Sequence, residues 1–268
     1  MITIDNGIEK KRLSDFNLRA LQSHVYPMTA EINHLTNKIP GMVGLYRFGQ
    51  EINAKQYAIP VRMVENDESF AMEQLNKLSL FLFDGNYQAR PLKLIFDSEP
   101  DKYINAFVSG TLEVSRNFIV NAFDLSFVAV DPRKYSVVYN DELTWGNEII
   151  TFGSFYLLSH ENVSAETHIS GATTLAVSVI GLSLRPTIEI SGNATNLVIS
   201  ANGKAITVGT FTNKTWIIDC EKYIAYRDGV ETMLDMERFE LMQGMNTIQF
   251  SGTGIDLNVS IRFRDKWI

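Results

Sequence analysis

The chain has 268 residues, 45% of them hydrophobic and 21% charged, which is enough for one large β domain or two ordinary ones and excludes a disordered or collagen-like polymer. Its formal charge is −7 and its pI about 5.2, so neither a nucleic-acid backbone nor an anionic membrane would hold it by bulk attraction. A single cysteine, Cys220, excludes an internal disulfide framework, and with four scattered histidines it makes no zinc pattern; it reads as a small buried hydrophobe.

The opening "MITIDNGIEKKRLSDF" carries charges throughout and lacks the apolar core and cleavage site of a secretory signal, so a cytoplasmic place of synthesis is expected. No apolar run reaches the ~20 residues of a membrane span. Glycosylation-like triplets at Asn162, Asn193, Asn213 and Asn258 read as polar loops without a secretory route.

The first readable strand is "YAIPVRMV". After it, "VENDESFAMEQLNKLSLFLFDG" predicts a helix over about 69–83, capped by Asp67 or Ser69. Ala71, Leu75, Leu78 and Leu82 draw one apolar stripe on it, and Asp84-Gly85 stops it. Strand patterns follow in "PLKLIF", "YINAFVSGTLEV" and "FIVNAFDLSFVAV"; in the last, Phe123, Leu125, Phe127 and Ala129 share one face. Pro132 and the polar run Asn140-Asp141-Glu142 then break the pattern, which divides the chain into domains 1–138 and 139–268.

In the second domain "TIEIS", "LVISA" and "AITVG" read as strands, the last two joined by Asn202-Gly203, a strong hairpin signal. "WIIDCEKYIAYRDG" is a second hairpin region closing at Asp228-Gly229. "GNEIITFGSFYLL" and "TTLAVSVIGLSL" resemble strands separated by unpatterned sequence. In "GIDLNVSIRFRD", Ile255, Leu257, Val259, Ile261 and Phe263 alternate with polar residues, so one face is core and the other faces solvent or a partner. The fold class is mainly β: a β-rich N-terminal domain of two sheets, or a β-sandwich, with one α-helix, then an antiparallel C-terminal β-sandwich.

Chemistry is sparse. Asp97, Glu99 and Asp101 alternate like the opening of a calcium loop, but that loop requires Gly at its sixth position and Glu at its twelfth. Counted from Asp97 those positions are Lys102 and Val108, and Pro100 marks a turn between strands instead. A glycan hydrolase using two of these acids stays as a minor alternative. There is no Gly-x-Ser-x-Gly elbow, no His-Glu-x-x-His helix and no phosphate loop; "SGTGI" at 251–255 reads as a turn. Among Trp145, Trp216 and Trp267, Trp216 is the candidate for a sugar-stacking face on the second domain. No catalytic, cofactor or metal residues are assigned, and a non-enzymatic role is expected.

"LIFDSEPDKYINAFVSGTLEV" followed by "FDLSFVAVDPRKYS" resembles the distal tail (Dit-type) proteins of long-tailed phages. The order matches: a striped helix, a strand ending in Phe-Asp, an acid-Pro-Asp-Lys-Tyr turn, a Val-Ser-Gly strand and an Asp-Pro…Tyr-Ser close. "RPTIEISGNATNLVISANGKAITV", "LMQGMNTIQFSG" and "IRFRDKWI" resemble that family's galectin-like or carbohydrate-module-like C-terminal sandwich. The resemblance runs from about Gly41 onward and is weakest over 1–40 and 140–175. It assigns structural signature roles to Asp97, Pro100, Asp101, Tyr103, Gly110, Asp131, Pro132 and Tyr135. Arg133 stands where relatives commonly carry Tyr, and no extra carbohydrate module is inserted.

That resemblance implies a structural hub of a tail tip, in a virion assembled in the bacterial cytoplasm. Its partners would be other copies of itself in a hexameric ring, single or stacked in two, then tail tube protein, a tail-associated hub protein and a receptor-binding or baseplate protein. The genome would pass through the ring without sequence-specific contact, and neither membrane nor cofactor is implied. The interface candidates are the exposed face of "FDLSFVAV" and a loop segment, Gly41 to Tyr57. The alternative is a carbohydrate-binding module for host recognition built on the second domain.

Overall fold

The computed structural model describes residues 2–21, 26–64, 67–111, 122–142, 150, 154 and 166–268. The expected strand "GNEIITFGSFYLL" and Trp145 lie outside the described residues, apart from isolated positions 150 and 154. The chain divides into two units, Met1–Lys134 with Ile268, and Tyr135–Trp267; the sequence had suggested a division near 138.

The first unit contains strands Ile2–Asp5 (β1), Lys10–Arg12 (β2), Leu18–Ala20 (β3), Ile32–Asn37 (β4), Tyr46–Ile52 (β5) and Lys55–Met63 (β6). The helix Glu68–Leu82 (α1) comes next, then Leu92–Phe96 (β7), Lys102–Val108 (β8) and Ala122–Ala129 (β9). Hydrogen bonding runs in the order β2-β1-β7-β8-β9-β6-β3, antiparallel throughout. Strand β8 pairs β7 through Ile104 to Ala106 and β9 only through Phe107 and Val108, so it hands the sheet from one half to the other.

Period-two alternation decides which side is core. In β6, Lys55, Tyr57, Ile59, Val61 and Met63 are buried, and in β9 Phe123, Leu125, Phe127 and Ala129 face the same interior in the expected phase. Helix α1 closes this core with Ala71, Leu78, Phe81 and Leu82, and its first turn is capped by the Asp67 side chain accepting from the Ser69 amide at 3.0 Å. After the helix, Asp84 Oδ1 accepts the amides of Asn86 and Gln88 and turns the chain back.

The short strand Lys134–Ser136 (β10) stands where the units divide. The second unit contains Thr167–Ile169 (β11), Thr173–Val179 (β12), Thr187–Ala201 (β13), Lys204–Asp219 (β14), Ile224–Arg227 (β15), Val230–Thr232 (β16), Asp235–Met236 (β17), Gly244–Arg262 (β18) and Lys266–Trp267 (β19). Its sheet runs β11-β18-β13-β14-β15-β16. Three of these strands exceed the usual length. β18 pairs β12 through its first part and β11 through a later part, and β14 likewise serves β17 and then β15. The long strands thus bend around one core that includes Ile188, Ile190, Trp216, Ile218, Phe250, Leu257 and Ile261.

The bends are β-bulges, and they correct two sequence expectations. "TIEIS" and "LVISA" are one strand, β13, whose register against its neighbours shifts repeatedly between Gly192 and Val198. "SGTGI" is no turn between strands; it lies inside β18 opposite those bulges. Gly192 (φ 134°) approaches so closely that a Cβ there would stand 2.1 Å from the Asp256 carbonyl oxygen, and one on Gly252 (φ 148°) would stand 2.8 Å from that of Thr195. The hairpin signals hold: Asn202 and Gly203 both take positive φ between β13 and β14, as do Asp228 and Gly229 between β15 and β16.

Candidate functional site

Among the described residues of the first unit, the hairpin β4–β5 stands uncovered. Its strands pair Ile32 with Ile52, His34 with Gln50 and Asn37 with Tyr46, with one bulge at Leu35/Thr36, and join no other strand among the described residues. Every residue of β4 is exposed, and all of β5 but Gly49. The exposed residues are apolar in unusual number: Leu35, Tyr46, Phe48 (66% exposed) and Ile52 on the strands, and Met42, Val43 (fully exposed) and Leu45 at the tip. Tyr46 and Phe48 meet edge to face at 4.9 Å. An isolated two-stranded ribbon is marginally stable in water, and clustered apolar surface marks a contact site. The expected loop from Gly41 to Tyr57 is therefore the tip and second strand of an arm, running on into β6.

The arm is fixed at its root. The Asn53 amide donates to the Glu31 carbonyl at 3.0 Å and the Asn53 side chain donates to the Glu31 carboxylate at 3.2 Å. One step further in, buried Lys55 donates through Nζ to the Met28 carbonyl at 3.1 Å. Tyr26, just before the arm, packs edge to face on Phe96 (4.9 Å) and Tyr57 (5.8 Å), and its hydroxyl donates to Glu99 Oε2 at 3.0 Å.

Glu99 belongs to the acidic turn between β7 and β8. The turn is held by Glu99 N donating to Phe96 O and Lys102 N donating to Glu99 O. Lys134 Nζ donates to Glu99 Oε2 at 2.7 Å and Lys102 Nζ to Oε1 at 3.1 Å. Burial alone would raise the Glu99 pKa, but these hydrogen bonds and the two ammonium charges outweigh it and bring the carboxyl down to about 2. Lys55 is pushed below its ordinary value, first by burial and then by the Lys134 charge. Burial, and after it the Glu99 charge, pushes the Tyr26 hydroxyl up, so the phenol stays protonated as a donor.

The other signature residues serve the scaffold separately. Asp97 and Pro100 are exposed on the same turn, while Asp101 is buried with Lys102 Nζ 3.7 Å away. Tyr103 is buried under the Lys93 ammonium, 5.2 Å from its ring. Gly110 takes φ 73° just past β8. Asp131 binds Arg133 through two side-chain hydrogen bonds of 2.7 and 2.8 Å, with half-buried Pro132 between them. Half-buried Tyr135 lies under the Lys266 ammonium in the second unit. The expected face of "FDLSFVAV" offers exposed Asp124 and Val130, with Ser126 and Val128 half-buried.

Trp216 corrects the sugar-stacking expectation. It is 3% exposed, packed edge to face on Phe211 at 6.1 Å, and a ring enclosed in a core has no face to offer a sugar. Among the described residues no group of three or more His, Cys, Asp or Glu could hold a metal ion, and no helix is long and apolar enough to cross a membrane. What the residue-by-residue reading missed is the arm and the Glu99 cluster. The alternation in "INHLTN" and "YRFGQEI" around Pro40-Gly41 is the signal that could have revealed the arm.

Residues 11–129 match the family model of the phage tail protein RIFT-related domain. Over 100% of both chains the fold is similar to the crystal structure of SPP1 Dit, which is described as a paradigm of the hub adsorption apparatus in phages infecting Gram-positive hosts, with TM-score 0.71 and 15% identity. A weaker likeness, TM-score 0.46 at 9% identity over 97% of each chain, is to a chain of the phage P2 baseplate in its calcium-activated conformation. No curated protein matches.

Proposed function

We infer from the phage-tail RIFT-related domain over residues 11–129, together with the SPP1 Dit-like fold over the whole length, that the chain is a Dit-type distal tail protein of siphophages and the ring-forming hub of the tail tip. Six copies close into a ring through the first unit and connect the tail tube to the tail-associated and receptor-binding or baseplate proteins, while the genome passes through the central channel. The role is mechanical and non-enzymatic. Assembly takes place in the bacterial host cytoplasm.

The observation that carries this reading is the arm β4–β5. A ribbon exposing Val43, Leu45, Tyr46 and Phe48 is stabilised only when something covers it, and the same unit exposes separate apolar side chains at Ile8, Leu80 and Tyr87. An apolar projection on one part of a protein that seats on a different part of the next copy makes a head-to-tail contact, which closes into a ring when the rotation per subunit permits. An obligate contact of this kind buries upward of about 2,000 Å². The net charge of −7 per copy also suits a channel for a polyanion, which a basic wall would retain.

Negative-stain images of the isolated full chain, and of the chain mixed with its tail tube protein, test the proposal. Six-fold rings in either sample support it; single particles of one subunit in both refute it. The carbohydrate-binding alternative loses its named stacking residue, since Trp216 is buried.

A further inference from the structure

We propose that Glu99 is the positioning residue of the arm: its carboxylate ties the arm's root to the β7–β8 turn and so sets the attitude in which β4–β5 meets a second copy. The inference rests on the assembly reading above and deepens it.

The geometry is specific. The two ends of the arm approach the body as residues 26–31 and 53–57. Cross-links between the ends are Asn53 with Glu31 and Lys55 with Met28, and Lys55 also begins β6, whose pairing with β9 holds that end to the sheet. The first end is held by Tyr26, whose ring lies edge-on to Phe96 and whose hydroxyl donates to Glu99. Phe96 and Glu99 belong to the end of β7 and the turn after it, so one aromatic contact and one charge-assisted hydrogen bond set the Tyr26 ring in both position and rotation.

The charge balance makes Glu99 indispensable to that arrangement. Lys134, Lys102 and the Tyr26 hydroxyl donate to it directly, and Lys55 and the Tyr57 hydroxyl feel its charge at longer range. Asp101 lies beside Lys102, 3.7 Å from its Nζ. Lys55 and Lys134 are both buried. Replacing the carboxylate by an amide leaves two buried ammonium groups repelling one another beside Tyr26, and takes from the Tyr26 hydroxyl its anionic acceptor.

Hydrogen exchange on the full chain, at a concentration where it is a single subunit, reads this directly. In Glu99→Gln and in Tyr26→Phe the root amide of Asn53 should exchange faster than in the parent, about tenfold in the first and less in the second. Core amides at Leu94 and Ile104 should keep their rates in Tyr26→Phe, and in Glu99→Gln should rise only by the factor its loss of global stability gives. Unchanged Asn53 exchange in both folded variants overturns the proposal. So does a parallel rise at root and core in Tyr26→Phe, since that describes general destabilisation. Because the measurement is made on separate subunits, it stands or falls independently of ring formation. If both hold, Glu99→Gln also raises the concentration needed for assembly about tenfold.

Discussion

Glu99 Oε2 accepts two hydrogen bonds at once, from Lys134 Nζ at 2.7 Å and from the Tyr26 hydroxyl at 3.0 Å. The first donor ends the unit's continuous stretch and the second stands just before the exposed arm, so one carboxylate oxygen joins the two.

The pH dependence follows from that carboxyl. Its pKa is lowered to about 2 in the folded chain, so it contributes stability that is fully present above the ordinary carboxylate range, near 4.5, and is lost as pH falls toward 2. Melting of the parent and of Glu99→Gln should differ by about 1–3 kcal/mol at neutral pH, the range for a partly buried charged hydrogen bond, and the difference should shrink below pH 4. A gap that is constant from pH 7 to 2.5 would show that the ionised carboxylate is not its source.

At the bulges of the second unit, Gly192→Ala should cost about 3 kcal/mol or more, because it combines a backbone at φ 134° with a Cβ forced against Asp256. Gly203→Ala, in the open Asn202-Gly203 turn, meets nothing within 4 Å and should cost only about 1 kcal/mol. Denaturant unfolding of the two variants checks the ordering; equal losses would contradict the close-approach account.

Trp216→Ala should behave as a core deletion, losing about 3–5 kcal/mol, with no effect on a wall-polysaccharide pull-down that folding does not explain. Trp216→Phe should lose less, since the indole Nε1 has no hydrogen-bond partner to forfeit. A folded Trp216→Ala that has lost a sugar affinity present in the parent would restore the carbohydrate reading.

Cys220 is fully buried, and burial first, then the Asp219 charge, pushes its thiol up to about 12. A thiol reagent should label it only as fast as the second unit unfolds. Rapid labelling of the native chain would show that this core opens locally.

Regular alternation made much of this molecule legible before any coordinates. The faces of β9 and of the last part of β18 follow from period-two burial, the α1 stripe from helical spacing, and the two I′-like turns from Asn-Gly and Asp-Gly. Illegible were features in which strand pattern loses its usual meaning. Arm strands β4 and β5 have no buried face, so their apolar residues do not sort inward. The bulged strands interrupt their own alternation where Gly192 and Gly252 let backbones meet. Glu99 was hidden for another reason: its neighbours Lys134, Tyr26 and Lys55 are distant in sequence, and only the fold brings them to a turn whose local spacing suggested calcium. Of those three acids, the one in the middle carries the interaction.

Assembly of copies of this chain into a ring through the exposed arm is tested most directly by mass measurement with light scattering across concentration, with and without tail tube protein. The parent should reach the mass of six copies, and a Val43→Asp, Leu45→Asp variant should remain a single subunit. Both substitutions are at exposed positions, so its melting should stay within about 0.5 kcal/mol of the parent. A parent that stays a single subunit at high concentration with its partner present, or an arm variant that assembles as the parent does, would contradict the claim.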